Sequence, residues 1–143
     1  MKQNVFIDTD VIFDVLSSRQ EHFIESSKIL KLCEDTTING FTSSIVIVNC
    51  NYLMEKFKID DRVRKIKVLN TLLHVLPCTS ADIKSAVDSS FKDFEDAVQD
   101  SIANRSKKCK TIITRNSKDY AESKLEVLTP AQFLNKYKFK SAT

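Results

Sequence analysis

The stretch NVFIDTDVIFDVL, residues 4 to 16, limits what the chain can become more than any other. Residues 4 to 8 read as a short buried strand, and the apolar residues then continue without a turn signal. A helix starting at Asp8 or Asp10 and ending near Leu16, where Ser17 and Ser18 break the pattern, follows directly on the strand. The segment also carries Asp8, Asp10 and Asp14. Three like charges on one buried segment repel, and desolvating them costs several kcal/mol unless something positive sits among them. Capping a helix accounts for one aspartate; three need a further cause.

The rest of the chain alternates in the same way. Ser26, Ile29, Leu30 and Cys33 fall at helical spacing, so 21–35 is an amphipathic helix, and INGFTS (38–43) holds a turn and a brief strand. SSIVIVNCNYLMEKF has the β-branched content of a strand, but its length and the cap at Ser43–Ser44 favour a helix. Val63, Ile66, Leu69 and Leu73 mark a helix from about 60, HVLP (74–77) a short strand, and 81–89 another helix. In DFEDAVQDSIANRSKK an apolar stripe of Phe94, Ala97, Val98, Ser101 and Ile102 faces away from Asp93, Asp96 and Asp100. TIIT (111–114) and EVLT (126–129) are strands, and Pro130 opens a last helix. Strands alternating with helices imply an α/β fold: a three-layer α/β/α arrangement with a largely parallel central sheet, expected here as a single domain over 1–143.

Composition removes several function classes. Gly40 is the only glycine, which excludes a Walker loop and a G-x-G-x-x-G fingerprint. Cys33, Cys50, Cys78 and Cys109 show no C-x-x-C spacing, and with only His22 and His74 beside them a zinc site is not indicated. Reduced, buried cysteines, no apolar leader and no run of membrane-spanning length suit a cytoplasmic protein without membrane association. The net charge is +3, but acids gather in 8–14 and 93–100 while bases gather in 62–67, 105–110 and 136–140. An acidic spot in a basic surround is what a metal-using enzyme acting on a polyanion would show, although solvated helix faces give such runs too.

In a parallel α/β sheet, functional groups collect beyond the carboxyl ends of the strands. Asp8 ends the first strand, Asn116 and Asp119 follow TIIT, and Asp93, Glu95 and Asp96 lie in the first turn of a helix. Carboxylates that converge there need a cation, and hard oxygen ligands select Mg²⁺ or Mn²⁺. Such an ion activates water and stabilises the leaving oxygen of a phosphodiester. Each residue also has a plainer role. Asp93 suits an N-cap, Asp10 a cap of the first helix, and Asp14 an ion pair with a base; Glu95 and Asp96 suit a solvated helix N-terminus.

Taken together, these residues resemble a known family. FIDTDVIFDVL is similar to the opening of PIN domains, FEDAVQ to the segment that supplies their third acid, and TIITRNSKDY with LTPAQFL to their final elements. The resemblance implies a parallel sheet between helices and a Mg²⁺/Mn²⁺-dependent endoribonuclease. Small members resemble VapC-type toxins, often homodimeric and neutralised by a small antitoxin. By position, Asp8 is the first acid and Asp96 the third, with Glu95 and Asp119 as further metal-site candidates and Asp10 and Asp93 in support. Asn49 stands where the family usually has Glu, and Asn116 where many members have a fourth Asp. An amide oxygen ligates a metal without adding charge and cannot act as a base. Thr9, Ser44 and Thr114 are candidates to hydrogen-bond ligands or phosphates, and Arg115, Lys107, Lys108 and Lys110 to grip RNA.

Other readings meet the same residues. D-T-D-V-I is similar to the nucleophile loop of haloacid-dehalogenase phosphatases, but their later acidic loop is missing. A receiver domain needs an acceptor aspartate after a middle strand, and HVLP has none. The main alternative is a PIN-like domain that binds RNA or protein without cutting, because Asn49 and Asn116 dilute the acidic site; a scaffold with no RNA affinity is a third class.

Overall fold

The computed structural model describes residues 2–138. Val5, Phe6 and Ile7 are wholly buried, Val5 and Ile7 in one apolar cluster and Phe6 in another. That alternation makes β1 (Asn4–Ile7) the centre of a sheet covered on both faces. Its neighbours are β2 (Asn39–Ser43) and β4 (Thr111–Ile113), with β3 (His74–Leu76) and β5 (Glu126–Leu128) at the edges. The order is β3-β2-β1-β4-β5 and every pairing is parallel.

The helices are α1 (Thr9–Leu16), α2 (Phe23–Glu34), α3 (Ser44–Lys56), α4 (Arg62–Leu72), α5 (Ser80–Val87), α6 (Phe94–Ser106) and α7 (Pro130–Tyr137). One core joins Val5, Ile7 and Ile113 to Val11, Ile29, Cys50, Leu69 and Phe133, carrying side chains of α1, α2, α3, α4 and α7. The other joins Phe6 and Ile112 to Ala86, Val98 and Ile102 of α5 and α6. The layers are therefore α/β/α, as the strand–helix alternation indicates.

Several local expectations need correction. INGFTS is mostly strand: Asn39–Ser43 pairs with β1 and β3, and the turn precedes it. Val63 is two-thirds exposed, so α4 buries only Leu69 while Leu73 is buried just past its end. Phe94, placed on the apolar stripe of α6, is about half exposed at the helix start. α3 is a helix over its whole length, with Ser43 Oγ accepting from the Val46 N–H at 3.1 Å as its cap. All four cysteines are free, and Cys78 alone of them is not buried. The basic run 136–140 passes outside the described residues after Lys138. Among the described residues, no helix is long and apolar enough to cross a membrane.

Strand order fixes where the chemistry can sit. From β1 the chain builds outward to β2 and β3, then returns to the other side for β4 and β5. The point of reversal lies between the carboxyl ends of β1 and β4, where an open α/β sheet leaves a crevice.

Candidate active site

β1 hands over to α1 at Asp8. Its backbone is extended (φ −77°, ψ 163°), and Oδ1 accepts from the Thr9 N–H at 2.8 Å, which makes Asp8 the N-cap of α1. Its own N–H donates to the Ile113 carbonyl at 3.0 Å, tying it to β4. Oδ2 accepts from Thr114 Oγ1 at 2.9 Å. Burial holds this carboxyl above its ordinary range, against the bonds from Thr9 and Thr114, and the charge of Glu95 adds to the rise.

Asp10 does not cap the helix. Its Oδ2 accepts from the Arg115 N–H at 3.1 Å and Asn116 Nδ2 at 3.2 Å, while Oδ1 is buried without a hydrogen-bond partner. Burial first, and the charge of Asp8 second, push its carboxyl up to about 7. Asp14 is buried and pairs with a base, as its position on α1 indicates: Arg115 Nε reaches Oδ2 at 2.7 Å and Ser26 Oγ donates to the same oxygen at 3.2 Å.

The second group of acids comes from α6. Asp93 is the N-cap, its Oδ1 accepting from the Asp96 N–H at 2.9 Å. Asp96 lies off the apolar stripe of α6, yet it is half-buried rather than solvated, because the first turn of α6 overhangs the carboxyl edge of the sheet. Burial, then the charges of Asp8, Asp93 and Asp119, push it up to about 7. Residues from β1, α6 and the 3₁₀ turn Ser117–Tyr120 thus share one electrostatic field. Glu95 is also raised, first by burial and then by Asp93, and its Oε1 accepts from Asn49 Nδ2 at 2.6 Å.

The remaining candidates separate. Thr114 is bound into the cluster, whereas the Thr9 hydroxyl is buried without a partner and Ser44 Oγ accepts instead from the Cys78 N–H. The basic residues do not gather at the site. Arg115 is spent largely on Asp14. Lys107 caps the far end of α6, the Lys108 carbonyl accepts from Asn4 Nδ2 at 3.2 Å, and the Lys110 N–H donates to the Asn4 carbonyl at 3.3 Å. These lysines therefore lie at the amino edge of the sheet, a full strand length from Asp8. Charge clustering in sequence could not tell one edge from the other.

Two members escape a sequence reading. Gln99, buried within α6, has its Oε1 2.6 Å from Ser43 Oγ and ties that helix to the end of β2. Tyr120, only 1% exposed, lies beneath the acids with Phe91 edge-on at 6.1 Å between ring centroids. The tyrosine in TRNSKDY was the available signal, but aromatic residues at such positions are ordinarily core.

The donor chemistry is that of a hard divalent cation: carboxylates set against each other and a buried Asp10 oxygen without a partner, while the one thiol near them, Cys50, is pushed up to about 12 by burial and by the charges of Asp8 and Glu95 and stays protonated. Among the described residues no three acidic, histidine or cysteine side chains are grouped closely enough to hold a metal ion. Asp8 and Asp96 nevertheless bear on each other electrostatically across the crevice.

Comparison with known proteins agrees with this geometry. The PIN domain family model matches residues 4–118. Ribonuclease VapC1 of Aquifex aeolicus (strain VF5) is 27% identical over 140 residues, covering 94% of this chain and 96% of that protein. Among solved structures, a toxin-antitoxin complex from Klebsiella pneumoniae contains a chain that superposes with a TM-score of 0.65 at 22% identity, covering 88% of this chain and 97% of that one. VapC20 of Mycobacterium tuberculosis, a sarcin-ricin loop cleaving toxin, gives 0.66 at 15% identity, with 82% and 94% covered. Because the family match runs from β1 through the acids of α6 to the turn after β4, the chain belongs to the PIN domain family.

Proposed function

We propose that the protein is a Mg²⁺- or Mn²⁺-dependent endoribonuclease that hydrolyses RNA phosphodiesters, and that it is the toxin of a toxin–antitoxin pair. The observation that carries this reading is the convergence of Asp8 and Asp96, from opposite parts of the chain, at the reversal point of the sheet. The relative named a ribonuclease supports the substrate class.

Asp8 and Asp96 would hold the ion, with Glu95 or Asp119 entering directly or through water. A divalent ion there supplies an activated water and charge compensation at the leaving oxygen. The protein's own groups do the rest. Thr9 N–H and Thr114 Oγ1 fix the Asp8 carboxylate on both oxygens, so it cannot rotate away from the crevice. The Arg115 N–H and Asn116 hold Asp10 behind it. Lys118, exposed on the turn after β4, and the free face of Arg115 are the cations placed to meet substrate phosphate.

An antitoxin has a suitable seat away from this site. A groove of about 610 Å³ between α1, α2 and α4 is lined by Leu16, Leu30, Val68 and Leu72, with Lys28, Lys31, Arg64 and Lys65 outnumbering Glu34, the acid that pairs with Lys31, around it. Such a surface suits an amphipathic helix with acidic flanks. A homodimer is the expected assembly, and Val48 and Tyr52, one turn apart on α3, are large apolar residues left exposed for it.

Asn49, Asn116 and the open ligand set favour one second reading, a PIN domain that binds RNA without cutting it. Cleavage of total RNA in Mn²⁺, in EDTA, and by Asp8→Ala and Asp96→Ala variants separates the two. Cutting confined to the unaltered protein with Mn²⁺ is the expected result. RNA binding by a folded protein with no cutting would establish the binder instead.

A further inference from the structure

Most acids of the site have a donor within hydrogen-bond distance. Asp8 has Thr9 and Thr114, Asp10 has Arg115 and Asn116, Asp14 has Arg115 and Ser26, and Glu95 has Asn49. Asp96 is different. Its backbone N–H is used on Asp93, and the group that bears on its carboxylate as a donor is the Tyr120 hydroxyl, which lowers it against the burial that raises it. That hydroxyl is divided, because Asp8 draws on it as well, and burial with both carboxylate charges holds the phenol well above its ordinary range. It meets neither carboxylate with full hydrogen-bond geometry.

A loosely placed donor therefore stands between two acceptors across the crevice. A buried hydroxyl left short of a partner costs stability, and the packing of the ring against Phe91 would be served as well by phenylalanine. The oxygen needs a reason of its own.

Resting on the metal-site reading above, we infer that Tyr120 is a positioning residue, whose hydroxyl donates to the Asp96 carboxylate when a divalent ion draws Asp8 and Asp96 together. One Asp96 oxygen would then be left for the ion while the Tyr120 hydroxyl holds the other, as Thr114 already holds Asp8. The site is thus half-assembled: the Asp8 side is fixed in advance and the Asp96 side closes with the ion.

Tyr120→Phe removes the oxygen and keeps the ring. Its thermal stability in EDTA and its affinity for Mn²⁺, measured by calorimetry and electron paramagnetic resonance, test the inference beside the cleavage rate. The expected result is a split of opposite sign. The metal-free variant melts at the same temperature or about 3 °C higher, while Mn²⁺ binds about fivefold more weakly, the worth of one hydrogen bond. A variant that binds Mn²⁺ as tightly as the unaltered protein overturns the inference alone. So does a variant destabilised in EDTA, which would make the hydroxyl structural. If the unaltered protein takes up no Mn²⁺, the metal-site reading fails and this inference with it.

Discussion

Asn49 Nδ2 donates to Glu95 Oε1 at 2.6 Å, and this bond ties α3 to the first turn of α6 at the mouth of the acidic site. An amide at position 49 is what permits the contact, because a carboxylate there would repel Glu95. Held this way, Glu95 bears on Asp8 and helps raise its carboxyl. The negative charge that the PIN resemblance places on α3 is delivered from α6 instead. Glu95→Gln should weaken Mn²⁺ binding about tenfold, in the range of lost outer ligand contacts. Adding Asn49→Glu to that variant should restore most of the affinity by moving the charge across the contact. Calorimetric titration of the single and double variants decides the matter, and an unchanged affinity for Glu95→Gln would remove the residue from the site.

Arg115 should act on stability more than on RNA. Asp14 is wholly buried and Arg115 Nε is its cationic partner at 2.7 Å, so Arg115→Met leaves a carboxylate without charge compensation inside the protein. Loss of one partner of such a pair costs about 3 kcal/mol, readable as a lower urea midpoint. The Lys107, Lys108 and Lys110 triple alanine variant should behave oppositely: folding and cleavage rate unchanged, with the salt dependence of RNA binding kept, because these side chains lie at the amino edge of the sheet. A large loss of cleavage in that variant would mean that RNA wraps the whole domain.

These two cases show where sequence is informative. The element order was legible because each strand is a short apolar run and each helix carries its own period or cap, as Ser26, Ile29, Leu30 and Cys33 do on α2. The place of Asp8 was legible because a carboxylate that closes a buried strand must itself be largely buried, where it is costly without partners. The basic residues were not, since RSKKCK and TRN are near neighbours in sequence but lie at opposite ends of β4, the first entering the strand and the second leaving it. Helical spacing alone does not split Asp96 from Asp100, which share a face of α6; only the PIN resemblance singles out Asp96. Only the first overhangs the sheet edge, while Asp100 meets Ser123 at the side of the helix. Tyr120 is a core residue whose hydroxyl is buried without a hydrogen-bond partner, which no sequence pattern announces.

Gly40 is a packing requirement with a direct test. A Cβ on this residue would stand 2.5 Å from Cys33 Sγ and 2.7 Å from Leu73 Cδ2, both in the core under β2. The backbone there needs no unusual dihedral, so the cost is overlap rather than strain in the chain. Gly40→Ala should destabilise by about 2 kcal/mol, typical of overpacking. Cys33→Ala added to it should recover part of the loss, since the Cys33 Cβ lies at 3.5 Å and of that residue only the sulfur is too close. Urea denaturation of the two variants checks both signs; equal stability of Gly40→Ala and the unaltered protein would mean that α2 shifts at no cost.

The acids should give the metal-free protein an unusual pH dependence. Asp10 and Asp96 are pushed up to about 7 from an ordinary value of 3.8, mainly by burial and then by neighbouring carboxylates. Between those values the folded state keeps protons that the unfolded chain releases, so stability falls as pH rises through the window. Asp82 works in the other direction. Burial alone would raise it, but Arg105, Thr79 and Ser101 outweigh burial and hold it below 3.8. Its contribution is present above the unfolded value and is lost as pH falls through the folded one. In EDTA the denaturation midpoint should therefore decline from about pH 4 to about pH 7. Asp96→Asn should flatten that decline, and Asp82→Asn should lower stability across the same range without changing its slope. Mg²⁺ or Mn²⁺ should lift the alkaline side of the curve for the unaltered protein, because the ion binds the deprotonated carboxylates that the fold otherwise penalises. A curve that is flat in EDTA and unmoved by either ion would show that Asp10 and Asp96 do not share the crevice as a charged pair with Asp8.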